Sequence, residues 1–264
     1  MRRVVAVWVF SALSGVAWAD PPAGRTVALE NFHAYAAAAE ARMREYPAFL
    51  RLAAEQGARA KLQAGAVLTR SARLGGNAPP AVTSAGEIQH WIGAVFAPGV
   101  TLAGALPLLE DYSNRARFMA PEITESSVLE QSGDVRLVHL RLAEKSIVPA
   151  TFDARLRIAW RRPDEYSLAI DSRSESIEDI TPSAHGRDRG LLWALNHYWR
   201  IADMDGGLYI ECEALALSRR PPAMIRFLAE PMIGRASRKT LANLLLATKR
   251  MVETTLTRQD AASW

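Results

Sequence analysis

The chain has 264 residues, a formal net charge of +4 and one cysteine, Cys212. A single cysteine rules out an intramolecular disulfide, so the fold must be stabilised by its hydrophobic core. The sequence contains neither a Walker-type phosphate loop nor a strand-associated G-x-G-x-x-G motif, and its basic residues form no run with interleaved aromatic residues. The sequence therefore argues against a kinase, a dehydrogenase or a nucleic-acid-binding protein.

Residues 1–19 have the layout of a secretory signal peptide. Arg2 and Arg3 precede an apolar run, and the small residues Ala17 and Ala19 place the cleavage site after Ala19. The apolar run is shorter than the roughly 20 residues that a membrane-spanning helix needs. We therefore expect a periplasmic or secreted protein, and an uncleaved N-terminal anchor is the alternative.

The segment 20–57 is predicted to be helical. Residues 26–56 carry an alanine-rich stretch and an approximate helical stripe of apolar side chains. Pro47 would kink this helix or divide it in two, and Gly57 would end it as a C-cap. We expect this extra helical segment to pack on the main domain, residues 58–257.

From Arg59 onward the sequence predicts mainly strands. Thr101 is a suitable N-cap for a helix through Tyr112 that interrupts them. Within 147–160 the even positions are apolar and several odd positions are charged, which predicts one buried face and one solvated face. The predicted strands are 60–70, 87–96, 123–131, 134–144, 147–160, 164–177, 190–203 and 207–219.

The C-terminal part of the chain is predicted to be helical. A short helix starts near Pro221 and is interrupted by Pro231 and Gly234. Ser237 would cap a long final helix whose apolar stripe faces the sheet. Residues 258–264 would then form a C-terminal tail.

This order of elements, together with local motifs, resembles the START-like superfamily, also called the SRPBCC or Bet v 1-like group, and within it exported bacterial members. The similarity covers most of residues 85–250. It is carried by Trp91-Ile92-Gly93-Ala94-Val95-Phe96, Pro98-Gly99, Leu109-Glu110-Asp111-Tyr112, Gly190-Leu191-Leu192-Trp193, Tyr198-Trp199-Arg200 and residues 205–213. The resemblance implies an α+β helix-grip fold, in which a curved antiparallel β-sheet wraps a long C-terminal helix, here with an extra N-terminal helix. It does not fix the function, because one fold serves many functions.

The resemblance further implies a hydrophobic cavity between the sheet and the final helix. Candidates for its lining are Phe152, Trp160, Trp193, His197, Trp199, Leu241 and Leu245. The alternative is that these side chains fill an ordinary core. Ala214 and Ala216, opposite the tryptophans, leave room for a cavity without requiring one.

A polar ladder is predicted on the other face of the last hairpin. The dipeptide Asp205-Gly206 is a strong type I′ turn signal. It would place Arg200 opposite Glu211 and Tyr198 opposite Glu213. The ladder would either anchor a polar head group at the cavity mouth or form a solvated pair worth about 0–1 kcal/mol. An N-terminal helix that covered this face would bury the pair and favour the first interpretation.

Three functions are compatible with these patterns. The five histidines lack metal-ligand spacing and no G-x-S-x-G motif occurs, so we predict no metal, no cofactor and no defined catalytic residue. The first hypothesis is an exported, non-enzymatic START-like protein that binds an apolar small molecule, such as a lipid or isoprenoid, with transient membrane contact and no nucleic-acid partner. The alternatives are a cyclase- or hydrolase-type enzyme that uses His197 or a cavity carboxylate, and a protein-interaction module with a filled core.

Overall fold

The computed structural model describes residues 22–46, 48–144, 149–182, 189, 191–221, 223–224 and 226–262, without the side chains of 22, 23, 228 and 257–262. The predicted signal peptide, residues 1–19, lies outside the described residues. So do residues 147, 148 and 190, which belong to two predicted strands.

Within these ranges, eight strands form one antiparallel sheet in the order β1-β2-β8-β7-β6-β5-β4-β3. The strands are β1 Leu68–Ser71, β2 Gly86–Pro98, β3 Ile123–Ser132, β4 Val135–Glu144, β5 Ala150–Asp164, β6 Ser167–Asp179, β7 Ala194–Met204 and β8 Gly207–Arg219. The helices are α1 Pro22–Glu45, α2 Ala58–Gln63, α3 Leu102–Glu110, α4 Arg115–Met119 and α5 Arg226–Ala262. The curved sheet and the long C-terminal helix have the predicted helix-grip arrangement.

The inner face of the sheet packs against α5. In β5 the even residues from Ala150 to Trp160 are buried while Arg155 and Arg157 are exposed, as the alternation predicts. Leu245 and Met251 of α5 belong to the same core as these strand residues. The short helices α3 and α4 close one end of this core. Thr101 caps α3 as predicted, because its hydroxyl accepts a hydrogen bond from Gly104 N at 3.2 Å.

Gly93 sets how closely α5 can approach the sheet. A Cβ atom added there would lie 2.7 Å from Leu245 Cδ1 and 3.0 Å from Leu68 O. We expect Gly93→Ala to lower the free energy of unfolding by about 1–3 kcal/mol through overpacking, as measured by urea denaturation. Gly75→Ala is the control and should stay within about 0.5 kcal/mol, because a Cβ at Gly75 meets nothing within 4 Å. An unchanged midpoint for Gly93→Ala would contradict this account.

The outer face of the sheet is covered by the N-terminal helical segment. Phe32 and Tyr35 of α1 are fully buried against Ile88, Tyr198 and Leu215 of the central strands. A second patch of this face is covered by residues between α1 and β1. The central part of the sheet is therefore buried on both faces, which explains why β2 is buried along nearly its whole length.

Three predictions for residues 26–70 are wrong. The first helix ends at Glu45 and not near 56, since a proline at 47 disfavours helical backbone in the residue before it. Gly57 has φ 71° and precedes α2 instead of ending α1. The predicted strand 60–70 is a helix over its first residues, because Ala58–Gln63 consists of strong helix formers. Only Leu68–Ser71 forms a strand.

The predicted break in the C-terminal helix is also wrong. Pro231 and Gly234 lie inside α5, which begins at Arg226 and runs to Ala262, beyond the predicted boundary at 257. A proline inside a helix removes one backbone hydrogen bond. Packing of the apolar side of α5 on the sheet stabilises the helix by more than this loss, as is usual for amphipathic helices. No helix in the described part of the chain has the length and hydrophobicity needed to cross a lipid bilayer.

Candidate functional site: an apolar cavity beneath the C-terminal helix

A cavity of about 580 Å³ lies between the inner face of the sheet and α5. Strands β2 to β8 contribute to its floor, the first half of α5 forms its roof, and α3 and α4 line one end. Most of the lining side chains are apolar, among them Leu140, Leu156, Ile158, Ile170, Ile201 and Leu244. The size and character of this space are typical of a site for a small organic molecule.

Four of the seven predicted lining residues border the cavity. These are Phe152, His197, Trp199 and Leu241. They do so because strand alternation and helical periodicity point them to the same side of their elements. The hairpin register that underlies part of this prediction is confirmed, since Trp199 lies opposite Cys212 and His197 opposite Ala214.

The other three predicted lining residues lie elsewhere. Trp160 is buried in the core, where its ring meets that of Tyr112 edge to face at 6.2 Å between centroids. Leu245 packs deep in the same core, against Gly93. Trp193 belongs to the cluster beneath α1, on the outer face. It precedes the first residue of β7, so the strand alternation does not extend to it.

His197 and Ser172 place a polar pair in the floor of the cavity. They are cross-strand neighbours on β7 and β6, and both line the cavity. No described residue hydrogen-bonds the imidazole. Burial lowers the pKa of His197 to about 4, so the ring is neutral at neutral pH. A neutral imidazole can donate one hydrogen bond and accept another, which suits it to orient a polar atom of a ligand.

Arg115, the first residue of α4, lines the cavity where α3 and α4 close it, although it was not among the predicted site residues. Its side chain is buried, with 7% of the residue exposed. Nη2 donates to Leu109 O at 2.6 Å and Nη1 to Met251 Sδ at 3.4 Å, while the guanidinium carbon lies 4.5 Å from the centre of the Tyr112 ring. Its sequence neighbourhood carries no motif that distinguishes it from the other arginines.

The predicted polar ladder has the expected backbone register, but the side chains of Tyr198 and Arg200 bind residues outside the ladder. Arg200 lies opposite Glu211 and Tyr198 opposite Glu213. The hydroxyl of Tyr198, however, donates to Glu40 at 2.7 Å. Nη1 of Arg200 donates to Asp171 at 3.1 Å. The four residues lie on the outer face, away from the cavity, so they do not anchor a head group at its mouth.

Glu213 is the centre of a buried ionic cluster beneath α1. Its carboxylate accepts from Arg42 Nη2 at 2.7 Å, from Arg51 Nη1 at 3.5 Å and from His90 Nε2 at 2.6 Å. Nδ1 of His90 accepts from the Tyr35 hydroxyl at 3.0 Å, which completes a chain of buried polar groups. Burial acts to raise the pKa of Glu213, but His90 and the two arginines outweigh it and hold that pKa below its ordinary value.

Glu211 fixes the loop between α1 and α2 to the sheet. Its two carboxylate oxygens accept hydrogen bonds from Arg51 N at 2.8 Å and Leu52 N at 2.6 Å. Burial raises the pKa of Glu211 to about 7, against the opposing effect of these hydrogen bonds. Together with Glu213 it binds the N-terminal segment to the outer face. The role of this cluster is therefore to hold two parts of the fold together.

The described residues contain no group of three or more His, Cys, Asp or Glu side chains that could hold a metal ion. The cavity lining combines a large apolar surface with a few polar and charged side chains. A curved antiparallel sheet that encloses a cavity under its C-terminal helix defines a helix-grip protein.

Solved structures with START-type folds are similar to this chain. The Zhui aromatase/cyclase from Streptomyces sp. R1128 matches with 13% identity, 64% of this chain and 96% of that chain covered, and a TM-score of 0.48. A STAR-related lipid transfer protein fragment from Xanthomonas axonopodis matches with 11% identity, 65% and 95% coverage, and a TM-score of 0.45. Human STARD10 matches with 7% identity, 69% and 76% coverage, and a TM-score of 0.45. No protein-family model and no curated protein matches the sequence.

Proposed function

We propose that this protein binds an apolar small molecule, of lipid or isoprenoid type, in the cavity between the sheet and α5. The observation that carries the proposal is the space of about 580 Å³ with a mainly aliphatic and aromatic lining. Transfer of apolar surface from water into such a site contributes about 25 cal/mol per Å². A ligand that fills the cavity would therefore be held mainly by burial and oriented by the few polar groups, His197 among them.

We further propose that binding takes place outside the cytoplasm. The signal-peptide layout of residues 1–19 supports export to the periplasm or the medium. In that location an apolar metabolite or lipid has low solubility, and an enclosing protein would keep it from water. Detection of the processed N-terminus after Ala19 in a periplasmic fraction would test this part of the proposal.

Blocking the cavity should abolish binding. Ala214 lies in its floor between His197 and Trp91 on the neighbouring strands. We expect Ala214→Trp to weaken binding of apolar ligands at least tenfold, because the new ring occupies the volume that the ligand needs. Native mass spectrometry of the purified protein, followed by organic extraction, gives the occupancy of wild type and variant.

The matched control places the same substitution outside the cavity. Ala37 is exposed on α1, so Ala37→Trp should copurify with the same apolar molecules as the wild type. If Ala214→Trp folds and retains those molecules in equal amount, the cavity is not the binding site. A wild-type protein that is consistently empty and binds no apolar probe would also contradict the proposal.

A cyclase- or hydrolase-type enzyme is the second candidate, favoured by the adjacent His197 and Ser172 in the cavity floor. An efficient general base has a pKa near the working pH, whereas the pKa of His197 is about 4. This difference favours binding over catalysis. An enzyme would lose turnover in His197→Gln while it kept its bound ligand. The interaction-module alternative required a filled core, and the cavity argues against it.

A further inference from the structure

Arg115 is the buried charged residue in the mainly apolar lining of the cavity. The other charged lining residues, Glu122, Glu144, Arg219 and Lys239, are half-buried or exposed. Only 7% of Arg115 is exposed. Removing a cation from water is costly unless hydrogen bonds and an opposite charge compensate for it. Arg115 is hydrogen-bonded to a carbonyl oxygen and a thioether sulfur and stacks on an aromatic ring. None of these groups carries a negative charge.

Five half-buried arginines in this fold each have a carboxylate partner. These pairs are Arg42 and Arg51 with Glu213, Arg136 with Glu110, Arg189 with Asp179, and Arg200 with Asp171. Arg115 is more deeply buried than these five arginines, and unlike them it has no carboxylate partner among the described residues.

We propose that the ligand carries an acid group, a carboxylate or a phosphate, and that Arg115 binds it. This inference rests on the proposed function and adds the chemical class of the ligand to it. A guanidinium has five N–H donors, and one carbonyl and one sulfur leave donors for an anion. Paired hydrogen bonds between a guanidinium and an oxyanion are among the strongest in proteins. The ligand is thus an amphipathic acid with its acid group at the α3–α4 end.

The position of Arg115 also orients the rest of the ligand. Its guanidinium stacks on Tyr112, whose ring meets Trp160. Trp160 is aligned across the sheet with Ile170 and Trp199, at the end of the cavity that α3 and α4 close. The apolar lining continues from there beneath the first half of α5. An acid group on Arg115 would therefore direct an apolar chain along the cavity, with His197 beside it.

The test compares three probes of equal chain length: dodecanoic acid, dodecyl phosphate and dodecanol. The purified protein, freed of copurifying molecules on a hydrophobic resin, is titrated with each probe by calorimetry below micellar concentrations. We expect one or both acids to bind at least tenfold more tightly than the alcohol. In Arg115→Met, which keeps an apolar side chain without the charge, the preference should fall below threefold. The two acids distinguish a carboxylate ligand from a phosphate ligand.

Arg136→Met is the matched control. Arg136 also stacks on an aromatic ring, that of Trp160 at 5.3 Å, but it is paired with Glu110 and does not line the cavity. This variant should keep the full preference for the acid. Arg115→Lys keeps the charge and should retain part of the preference, which provides a second comparison if Arg115→Met does not fold.

The outcomes separate the two proposals. If wild type binds all three probes equally, the role of Arg115 in ligand recognition is wrong and apolar binding in the cavity stands. Equal loss of acid preference in Arg136→Met would mean that general charge, and not Arg115, selects the ligand. If no probe binds and the cavity-blocking variant behaves as wild type, the proposed function itself fails.

Discussion

Replacing Glu213 by alanine is expected to lower the free energy of unfolding by about 3–5 kcal/mol, the range for removal of one partner from a buried ionic group. The Glu213 side chain is 6% exposed, and those of Arg42 and Arg51 are 24% and 18% exposed. Without the carboxylate, two guanidinium groups and the His90 imidazole lose a common acceptor within the fold. Urea denaturation followed by circular dichroism gives the change directly.

A surface carboxylate of the same sheet provides the control. Glu175 on β6 pairs with Arg157, and both side chains are substantially exposed. Glu175→Ala should therefore change the free energy of unfolding by no more than about 1 kcal/mol. Equal effects for Glu175→Ala and Glu213→Ala would show that the buried cluster does not hold the N-terminal segment. Amide hydrogen exchange would show which part of the fold loses stability in Glu213→Ala. Faster exchange in α1 alone would mean that α1 detaches from the sheet.

Much of the fold follows from local patterns in the sequence. The alternation in β5 and the Asp205-Gly206 turn define faces and registers directly, because a strand places successive side chains on opposite faces. The strand bounds after residue 120 differ from prediction by a few residues only. Errors arise where a pattern is extended past the end of its element, as at Trp193, or where tertiary packing overrides a local signal, as at Pro231.

The polar groups of the fold were less predictable than its apolar faces. His90 lies on the same face of β2 as Ile88 and Ile92, but its partners Glu213 and Tyr35 come from distant parts of the chain. Arg115 is similar, since its significance depends on the absence of a nearby carboxylate in three dimensions. Such contacts leave no periodic signal in the sequence, whereas an apolar face does.

His197 should make the stability of the protein depend on pH in a predictable direction. Burial lowers the pKa of His197 from 6.5 to about 4 in the folded protein. Between these two values the unfolded chain binds a proton that the folded protein does not, so unfolding becomes more favourable as pH falls. The stabilisation by neutral His197 is fully present above pH 6.5 and is lost as pH approaches 4. The full difference in pKa corresponds to about 3 kcal/mol of stability.

His197→Gln isolates this contribution, because glutamine is polar and does not titrate. We expect the free energy of unfolding to fall less between pH 7 and pH 4 in His197→Gln than in the wild type, by about 2–3 kcal/mol. Glu211 and His90 also titrate differently in the folded protein, but they are unchanged in both proteins and cancel in the comparison. His33→Gln alters an exposed histidine of α1 and should retain the wild-type pH dependence. Identical pH profiles for wild type and His197→Gln would contradict this prediction. They would mean that water enters the cavity and solvates the protonated imidazole. A hydrated cavity would weaken the case for an apolar ligand.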